Sequence, residues 1–196
     1  MIKFIDNNKE ISECLADSMD SYNHYYWSVA WMGKPDKLYE KLIKNKHKIE
    51  LLVTGLYGFN KERVTSHKFI EDFRDLWHIE PNIDNNTRVI FLAKKYSRDF
   101  SIQLILHSKL YYFENSDSDW RLVVGSANFS QNAFNSNLEA VVVCDQESSF
   151  SNESVKDYFA RIRCEKGNNY RRYTEKEVEY YVRKCNQCNY GTTKYY

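Results

Sequence analysis

This sequence of 196 residues has no long apolar run, only two prolines and a formal net charge of only +1. No apolar run approaches the roughly 20 residues of a membrane-spanning helix. The first residues turn polar before the apolar part of a signal peptide could form. The five cysteines are scattered and odd in number, which favours reduced thiols over a disulfide framework. We therefore expect a cytoplasmic protein with no membrane attachment.

The small net charge by itself neither implies nor excludes nucleic acid, and it hides an uneven distribution. Residues 161–196 carry nine Lys or Arg and four Glu, a sum of +5, so the other 160 residues sum to −4. A basic segment is suited to contact nucleic-acid phosphates, although a solvated helix face has the same composition. The candidates for phosphate contacts are Arg161, Arg163, Arg171 and Arg172.

Two of the cysteines, Cys185 and Cys188, are spaced like half of a zinc knuckle. No second pair follows at the usual spacing. We expect no bound metal and no cofactor, unless a longer parent protein supplies further ligands.

The hydrophobic content of 42% indicates a globular chain, and the length suits one domain with a proper core. Early strands alternate with helices and later strands form a hairpin. This order predicts an α/β fold with a mixed β-sheet flanked by helices on both faces. Helices are expected over 11–19, 37–46, 66–77, 152–163 and 174–184, and strands over 25–31, 48–54, 88–93, 102–113, 120–125 and 139–144.

The polar residues with the most chemical content lie around the predicted hairpin. His107 and Lys109 are two apart on a predicted strand and therefore project side by side. Ser126 and Asn128 share parity just past the next strand, and a turn at 115–119 would bring all four together. Lys109 would offset phosphate charge, Ser126 and Asn128 would donate hydrogen bonds to its oxygens, and His107 would be the nucleophile.

Chance has to be weighed against this interpretation. Five histidines in a chain with 18 lysines give about 0.5 His-x-Lys pairs by chance (5 × 18/196), so the pair alone is a weak signal. The segment Gly125-Ser126-Ala127-Asn128, placed sixteen residues after Lys109 at a strand end, makes coincidence a poor explanation. A core histidine beside a turn is the structural alternative.

His107-x-Lys109, then Glu114, then Gly125-Ser126-x-Asn128 resembles the signature of the phospholipase D (PLD) superfamily, the HKD motif. The resemblance implies a mixed sheet flanked by helices, and an active site that combines two motif copies and works through a phosphohistidine intermediate. It also implies that Glu139 orients His107 through its other ring nitrogen. A carboxylate on Nδ1 would leave Nε2 free to attack.

The chain departs from that signature at Glu114, where the family has aspartate, and in the longer spacing from Glu114 to Gly125. Strand parity places Glu114 on the face opposite His107, so we expect it to brace the fold. Only one His-x-Lys occurs, whereas a complete site needs one histidine to attack and another to protonate the leaving oxygen. We therefore predict a homodimer with a shared site on its two-fold axis.

Within the superfamily, the chain is most similar to the catalytic domain of PLD-type restriction endonucleases. The similarity rests on residues 26–31, 52–59 and 125–130, followed by Glu139. It implies a metal-independent DNA endonuclease of a restriction or defence system, with residues 1–165 as catalytic domain. Residues 166–196 would be a basic helical tail, the start of a linker to a missing domain.

No segment is long enough for the DNA-reading domain that such enzymes carry. Either the chain is a piece of a longer protein, or a separate specificity subunit supplies recognition, or cleavage is not sequence-specific. Two other functions stay open. One is a phospholipid phosphodiesterase or transphosphatidylase of the same superfamily, and the other is a non-catalytic nucleic-acid-binding module.

Overall fold

The computed structural model describes residues 1–55, 88–94, 106–164 and 170–173; for 90–94, 164 and 170–173 it describes the backbone alone. These residues form eight strands, four α-helices and one short 3-10 helix, Lys46–Lys48. The strands are β1 (Ile2–Ile5), β2 (His24–Val29), β3 (Ile49–Gly55), β4 (Val89–Lys94), β5 (Lys109–Ser116), β6 (Asp119–Gly125), β7 (Val141–Asp145) and β8 (Tyr170–Tyr173). The helices are α1 (Asn8–Ser21), α2 (Asp36–Lys44), α3 (Gln131–Asn135) and α4 (Glu153–Cys164).

The eight described strands form one sheet in the order β1-β7-β6-β5-β2-β3-β4-β8. Strands β2, β3 and β4 run parallel to one another, and every other neighbouring pair is antiparallel. The parallel pair β2 and β3 is joined through α2, as a crossover connection requires. The predicted mixed sheet is therefore confirmed.

Helices cover both faces of the sheet because successive strand residues point to opposite sides. On one face, α1, α2 and α3 bury residues such as Leu15, Leu42 and Phe134 against Trp27 and Phe113. On the other face, α4 buries a second set of apolar residues against the sheet: Val155, Phe159 and Ile162 pack with Leu51, Val53, Tyr112 and Leu122. The predicted fold class, an α/β fold with helices on both faces, is confirmed.

The first helix shows how local sequence sets an element. Asn7 caps α1, its side chain accepting hydrogen bonds from the backbone N–H of Lys9 (2.9 Å) and Glu10 (3.2 Å). Ile11 and Leu15, one turn apart, are fully buried. The helix predicted over 11–19 is confirmed, and it extends from Asn8 to Ser21.

The hairpin of β5 and β6 also agrees with its prediction. The side chain of Asn115 donates to Asp119 Oδ2 over 2.8 Å across the turn. The register pairs Leu110 with Val124, so the beginning of β5 lies beside the end of β6. This pairing brings the two halves of the predicted motif to one end of the sheet.

Strand boundaries differ from the predictions where the motif begins. The strand expected over 102–113 starts at Lys109 in the described part of the chain, so His107 and Ser108 precede it. The strand expected over 139–144 starts at Val141, so Glu139 lies in the segment before it. The side chains of His107, Ser108 and Glu139 form hydrogen bonds with other side chains. The helices predicted over 66–77 and 174–184, and the pair Cys185 and Cys188, lie outside the described residues.

Strand β8 lies beyond residue 165, where we placed the end of the catalytic domain, and it pairs with β4 in the same sheet. Where that domain ends stays a prediction. None of the helices among the described residues is both long and apolar enough to cross a membrane.

Candidate active site

The predicted site residues gather at one end of the sheet, which we call the motif end. There β2 and β6 finish while β5 and β7 begin, because the register pairs Val29 with Lys109 and Gly125 with Val141. His107 precedes β5 by two residues. The sheet therefore brings together segments that lie up to 112 positions apart in the sequence, from Val29 to Val141.

His107 and Lys109 contact each other directly. The ammonium Nζ of Lys109 lies 3.2 Å from His107 Nε2 and donates to the His107 main-chain oxygen over 2.9 Å. Because an ammonium group can only donate, a hydrogen bond at this contact requires Nε2 to accept and the ring hydrogen to be on Nδ1. The His107 side chain is exposed, so this Nε2 stands at the surface of the site.

Lys109 is buried although it carries a charge, with 7% of its surface exposed. Burial lowers the pKa of Lys109, and the negative charge of Glu139 offsets part of that effect. In the part of the chain that the structure describes, no carboxylate forms an ion pair with Lys109. The site therefore contains a partly desolvated cation without a close counter-ion.

Ser126 and Glu139 form a second contact pair. The Ser126 hydroxyl donates to Glu139 Oε2 and accepts from the backbone N–H of Ala140 over 3.0 Å. The other carboxylate oxygen of Glu139 accepts from the Asn137 side chain over 3.0 Å. Glu139 is buried, so these bonds compensate its desolvation.

Gly125 is required by the close approach of β6 and β7. A Cβ atom at this position would lie 2.1 Å from the Ala140 carbonyl oxygen and 2.7 Å from Val141 Cα. Both atoms belong to the main chain and cannot move aside cheaply. The glycine thus permits the hydrogen bonds that place Ser126 next to Glu139.

Asn128 joins the site to the end of β2. Its Oδ1 accepts from the backbone N–H of Trp31 over 3.0 Å. No described residue receives a hydrogen bond from its Nδ2. The side-chain amide is therefore fixed by its oxygen, and its two N–H hydrogens can donate to a ligand.

The structure brings the five predicted residues to one place but joins them as two pairs and a single residue. His107 contacts Lys109, Ser126 contacts Glu139, and Asn128 is held by main chain. Among the described residues no hydrogen bond runs from Glu139 to His107. The orienting role that the resemblance implies for Glu139 stays a prediction.

Glu114 lies at the opposite end of the sheet. It accepts a hydrogen bond from the Tyr112 hydroxyl over 2.9 Å and forms an ion pair with Lys156 of α4 at 3.1 Å. These interactions link β5 to α4. They are what a residue bracing the fold would make.

Two of the four predicted phosphate-contacting arginines lie in the last turn of α4. Arg161 is exposed. The guanidinium of Arg163 donates to the Glu50 main-chain oxygen over 2.7 Å. Glu50 is the second residue of β3, so Arg163 lies at the end of the sheet opposite His107.

The other two, Arg171 and Arg172, occupy β8. Arg172 is in register with Leu92, which pairs with Gly55 at the end of β3. This places β8 at the level of the motif end. It is four strands from β5, or about 19 Å across the sheet.

Sequence reasoning missed the residues that support the motif. Asn137 holds Glu139, and the hydroxyl groups of Ser28, Ser108 and Tyr158 contact one another behind His107. Ser108 is the middle residue of the His-x-Lys segment, and this position could have identified it as a supporting residue. Tyr158 could not be found because α4 is about 50 residues away in the sequence.

Comparison with protein families provides a match for this arrangement. The family described as the NgoFVII restriction endonuclease N-terminal PLD domain matches residues 37–179, well over half of the chain. The chain belongs to this family. The matched range includes residues 107–139 and continues through β8. Comparison with curated proteins gives no match.

Solved structures support the same fold. Nuc from Salmonella typhimurium, a phospholipase D family member, shows 15% identity and a TM-score of 0.52, covering 89% of this chain and 100% of Nuc. NucT from Helicobacter pylori shows 15% identity and a TM-score of 0.57 over 84% of this chain and 96% of NucT. The phosphatidylserine synthase of Haemophilus influenzae Rd KW20 shows 11% identity and a TM-score of 0.57, over 100% of this chain but 45% of the synthase. This PLD domain therefore has the phospholipase D fold.

Proposed function

We propose that this PLD domain is an endonuclease that hydrolyses DNA phosphodiester bonds without a metal ion, through a phosphohistidine intermediate. It would act in the cytoplasm as the nuclease part of a restriction or defence system. The family match supports this assignment, because the description of the family names a restriction endonuclease.

One observation carries the proposal. Lys109 is a buried cation with no described carboxylate partner, and its Nζ lies 3.2 Å from Nε2 of His107. A phosphodiester bound here would supply the missing negative charge. The same nitrogen is then placed beside the phosphorus atom.

In the first step His107 Nε2 attacks phosphorus and forms a P–N bond, while the bond from phosphorus to the leaving sugar oxygen breaks. Lys109 and the amide N–H groups of Asn128 stabilise the negative charge on the non-bridging oxygens. Ser126 would donate to the same oxygens after its hydroxyl hydrogen turns from Glu139 toward the ligand. The leaving oxygen takes a proton from a second histidine ring, which starts as the imidazolium and becomes neutral.

In the second step water attacks phosphorus, the P–N bond breaks, and the second imidazole takes the proton from water. One chain has a single His-x-Lys pair, so we infer that the partner subunit's His107 is this second imidazole. The homodimer would place both rings across one phosphoryl group on its two-fold axis. Target recognition would come from a separate domain or subunit, unless cleavage is not sequence-specific.

The test is plasmid nicking by the purified protein in excess EDTA. The wild type should cleave and His107→Ala should not, while sedimentation shows both as dimers. Strict dependence on Mg²⁺ would refute the mechanism. DNA binding that survives His107→Ala, with no cleavage by the wild type, would identify a non-catalytic module instead.

A second measurement addresses the covalent step. Acid quenching during turnover of DNA labelled with ³²P should trap label on the protein, at His107. Phosphoramidates are acid-labile on heating, so the label should be lost when the quenched sample is heated. Hydrolysis or headgroup transfer on phospholipid vesicles, with no action on DNA, would assign the protein to the lipid-directed alternative.

A further inference from the structure

Three hydroxyl groups form a closed set directly behind the His107–Lys109 pair. Ser28 Oγ lies 2.6 Å from Ser108 Oγ and 2.8 Å from the Tyr158 hydroxyl, and the latter two are 3.0 Å apart. Each hydroxyl has one hydrogen to donate and can accept another, so three of them in a ring satisfy one another. Ser28 is fully buried, which makes the removal of a partner costly.

This hydroxyl ring belongs to the face of the sheet that α4 covers. Ser108 and Lys109 are adjacent residues. The side chain of Ser108 engages Tyr158 of α4, whereas Lys109 contacts His107 at the motif end. The main-chain oxygen of Ser108 also accepts from the backbone N–H of Ala30 over 2.8 Å. Ser108 is thus held through both its side chain and its main chain.

His107 itself has few constraints. Its ring is exposed and, among the described residues, its side chain contacts only Lys109 by hydrogen bond. Ser108, the neighbour of His107, is anchored through its side chain and main chain, whereas Lys109 is also held by the pairing of β5 with β2. A shift of Ser108 that moved His107 relative to Lys109 would change the 3.2 Å distance between Lys109 Nζ and His107 Nε2.

We propose that Tyr158, acting through Ser108 and Ser28, is a positioning residue for His107 and Lys109, and that it couples helix α4 to the active site. The expected effect on kcat rests on the proposed function, because it is measured as DNA cleavage. The structural content of the inference, the placement of the His107 ring, does not depend on DNA cleavage.

The test compares Tyr158→Phe with Tyr112→Phe. Both tyrosines contact the core on the α4 face, and each hydroxyl makes two side-chain hydrogen bonds; Tyr112 bonds to Glu114 and Asn152 at the far end of the sheet. We expect Tyr158→Phe to lower kcat about 10-fold with KM within about twofold of the wild type. Tyr112→Phe should leave both unchanged, while the two variants fall by similar amounts in thermal stability.

Ser108 supplies the second variant. Ser108→Ala should lower kcat like Tyr158→Phe, and the double variant should be no slower than either alone, since both remove one network. Ser108→Thr retains a hydroxyl and should restore activity. Fully additive effects in the double variant would overturn the proposed coupling.

Ring ¹H–¹⁵N spectra of His107, recorded without DNA, provide a measurement independent of activity. Tyr158→Phe should shift the His107 signals and Tyr112→Phe should not. If the wild type cleaves no DNA, the proposed function fails, yet the spectra still decide this inference. Unchanged His107 signals in Tyr158→Phe, or an active Tyr158→Phe with the kcat of Tyr112→Phe, would overturn it.

Discussion

The two ends of the sheet each place a lysine near a glutamate and a hydroxyl group, but they arrange the charges differently. At the motif end, Lys109 is buried and has no ion-pair partner among the described residues, with the Glu139 carboxylate bonded to Ser126 and Asn137. At the far end, Lys156 forms ion pairs with both Glu114 and Asp117.

The pKa values move in opposite directions for this reason. Burial lowers the pKa of Lys109, and Glu139 offsets it only in part. Burial also acts on Lys156, but hydrogen bonds to Asp117 and Glu114 raise its pKa above the ordinary value. A lysine satisfied by carboxylates holds the fold together, whereas one left without them is available to a bound anion.

The largest expected difference between the two lysines is in catalysis. Lys109→Met should lower DNA cleavage about 100-fold or more, because it removes a donor aimed at the phosphoryl oxygens. Lys156→Met should leave cleavage unchanged and cost about 1 kcal/mol of unfolding free energy, since the pair is partly exposed. Nicking rates and urea unfolding measure both effects; an equal fall in activity would remove the distinction between the two ends.

Substitutions at two glycines test how closely the main chain packs at the motif end. Gly125→Ala should cost about 3 kcal/mol of unfolding free energy, because the new methyl group would overlap main-chain atoms of Ala140 and Val141. Gly33→Ala is the matched control, because its nearest atoms lie at ordinary van der Waals distances of 3.6 to 3.7 Å. Urea unfolding measures both. Similar stability of the two variants would contradict the close approach of β6 and β7.

The alkaline pH dependence of stability should separate the lysines by sign. The folded pKa of Lys109 lies below 10.5, so the unfolded chain binds more protons between the two values and stability rises with pH there. The folded pKa of Lys156 lies above 10.5, so its stabilisation persists up to that pH and disappears above it. As pH rises toward 10.5, the wild type should therefore gain stability relative to Lys109→Met. As pH rises above 10.5, it should lose stability relative to Lys156→Met.

Urea unfolding midpoints from about pH 8 to about pH 11 test these signs. Tyrosines of the unfolded chain also titrate in the upper part of this range, whereas burial raises the pKa of Tyr26 in the folded chain to about 12. They are shared by all three proteins, so differences from the wild type isolate the lysines. The same sign for both lysines would contradict the comparison.

The smallest expected effect concerns DNA binding across the sheet. Replacing Arg171 and Arg172 by Ala should weaken binding and reduce the slope of log K against log salt by about one for each phosphate that is no longer neutralised. Arg163→Ala should leave the slope unchanged, because Arg163 is committed to the Glu50 main chain at the far end. DNA-binding curves at several salt concentrations measure this slope. An unchanged slope after replacement of Arg171 and Arg172 would show that these two residues do not contact DNA phosphates.

Local patterns were sufficient for much of the fold. The cap at Asn7 and the hairpin turn at 115–119 are short-range features, and the structure contains both. Strand parity placed Glu114 away from His107, and it braces β5 against α4. Strand starts were less predictable, because Lys109 begins β5 and Val141 begins β7 only where the neighbouring strands provide partners.

The sequence by itself determined the α/β class, the motif residues and the presence of a single His-x-Lys pair, because these depend on residue type and spacing. Only the tertiary structure decided that Ser126 contacts Glu139, that Lys109 lacks a carboxylate partner in the described chain, and that Tyr158 stands behind His107. These interactions join residues 13 to about 50 positions apart. Such distances are closed by strand register and helix packing, which no local pattern encodes.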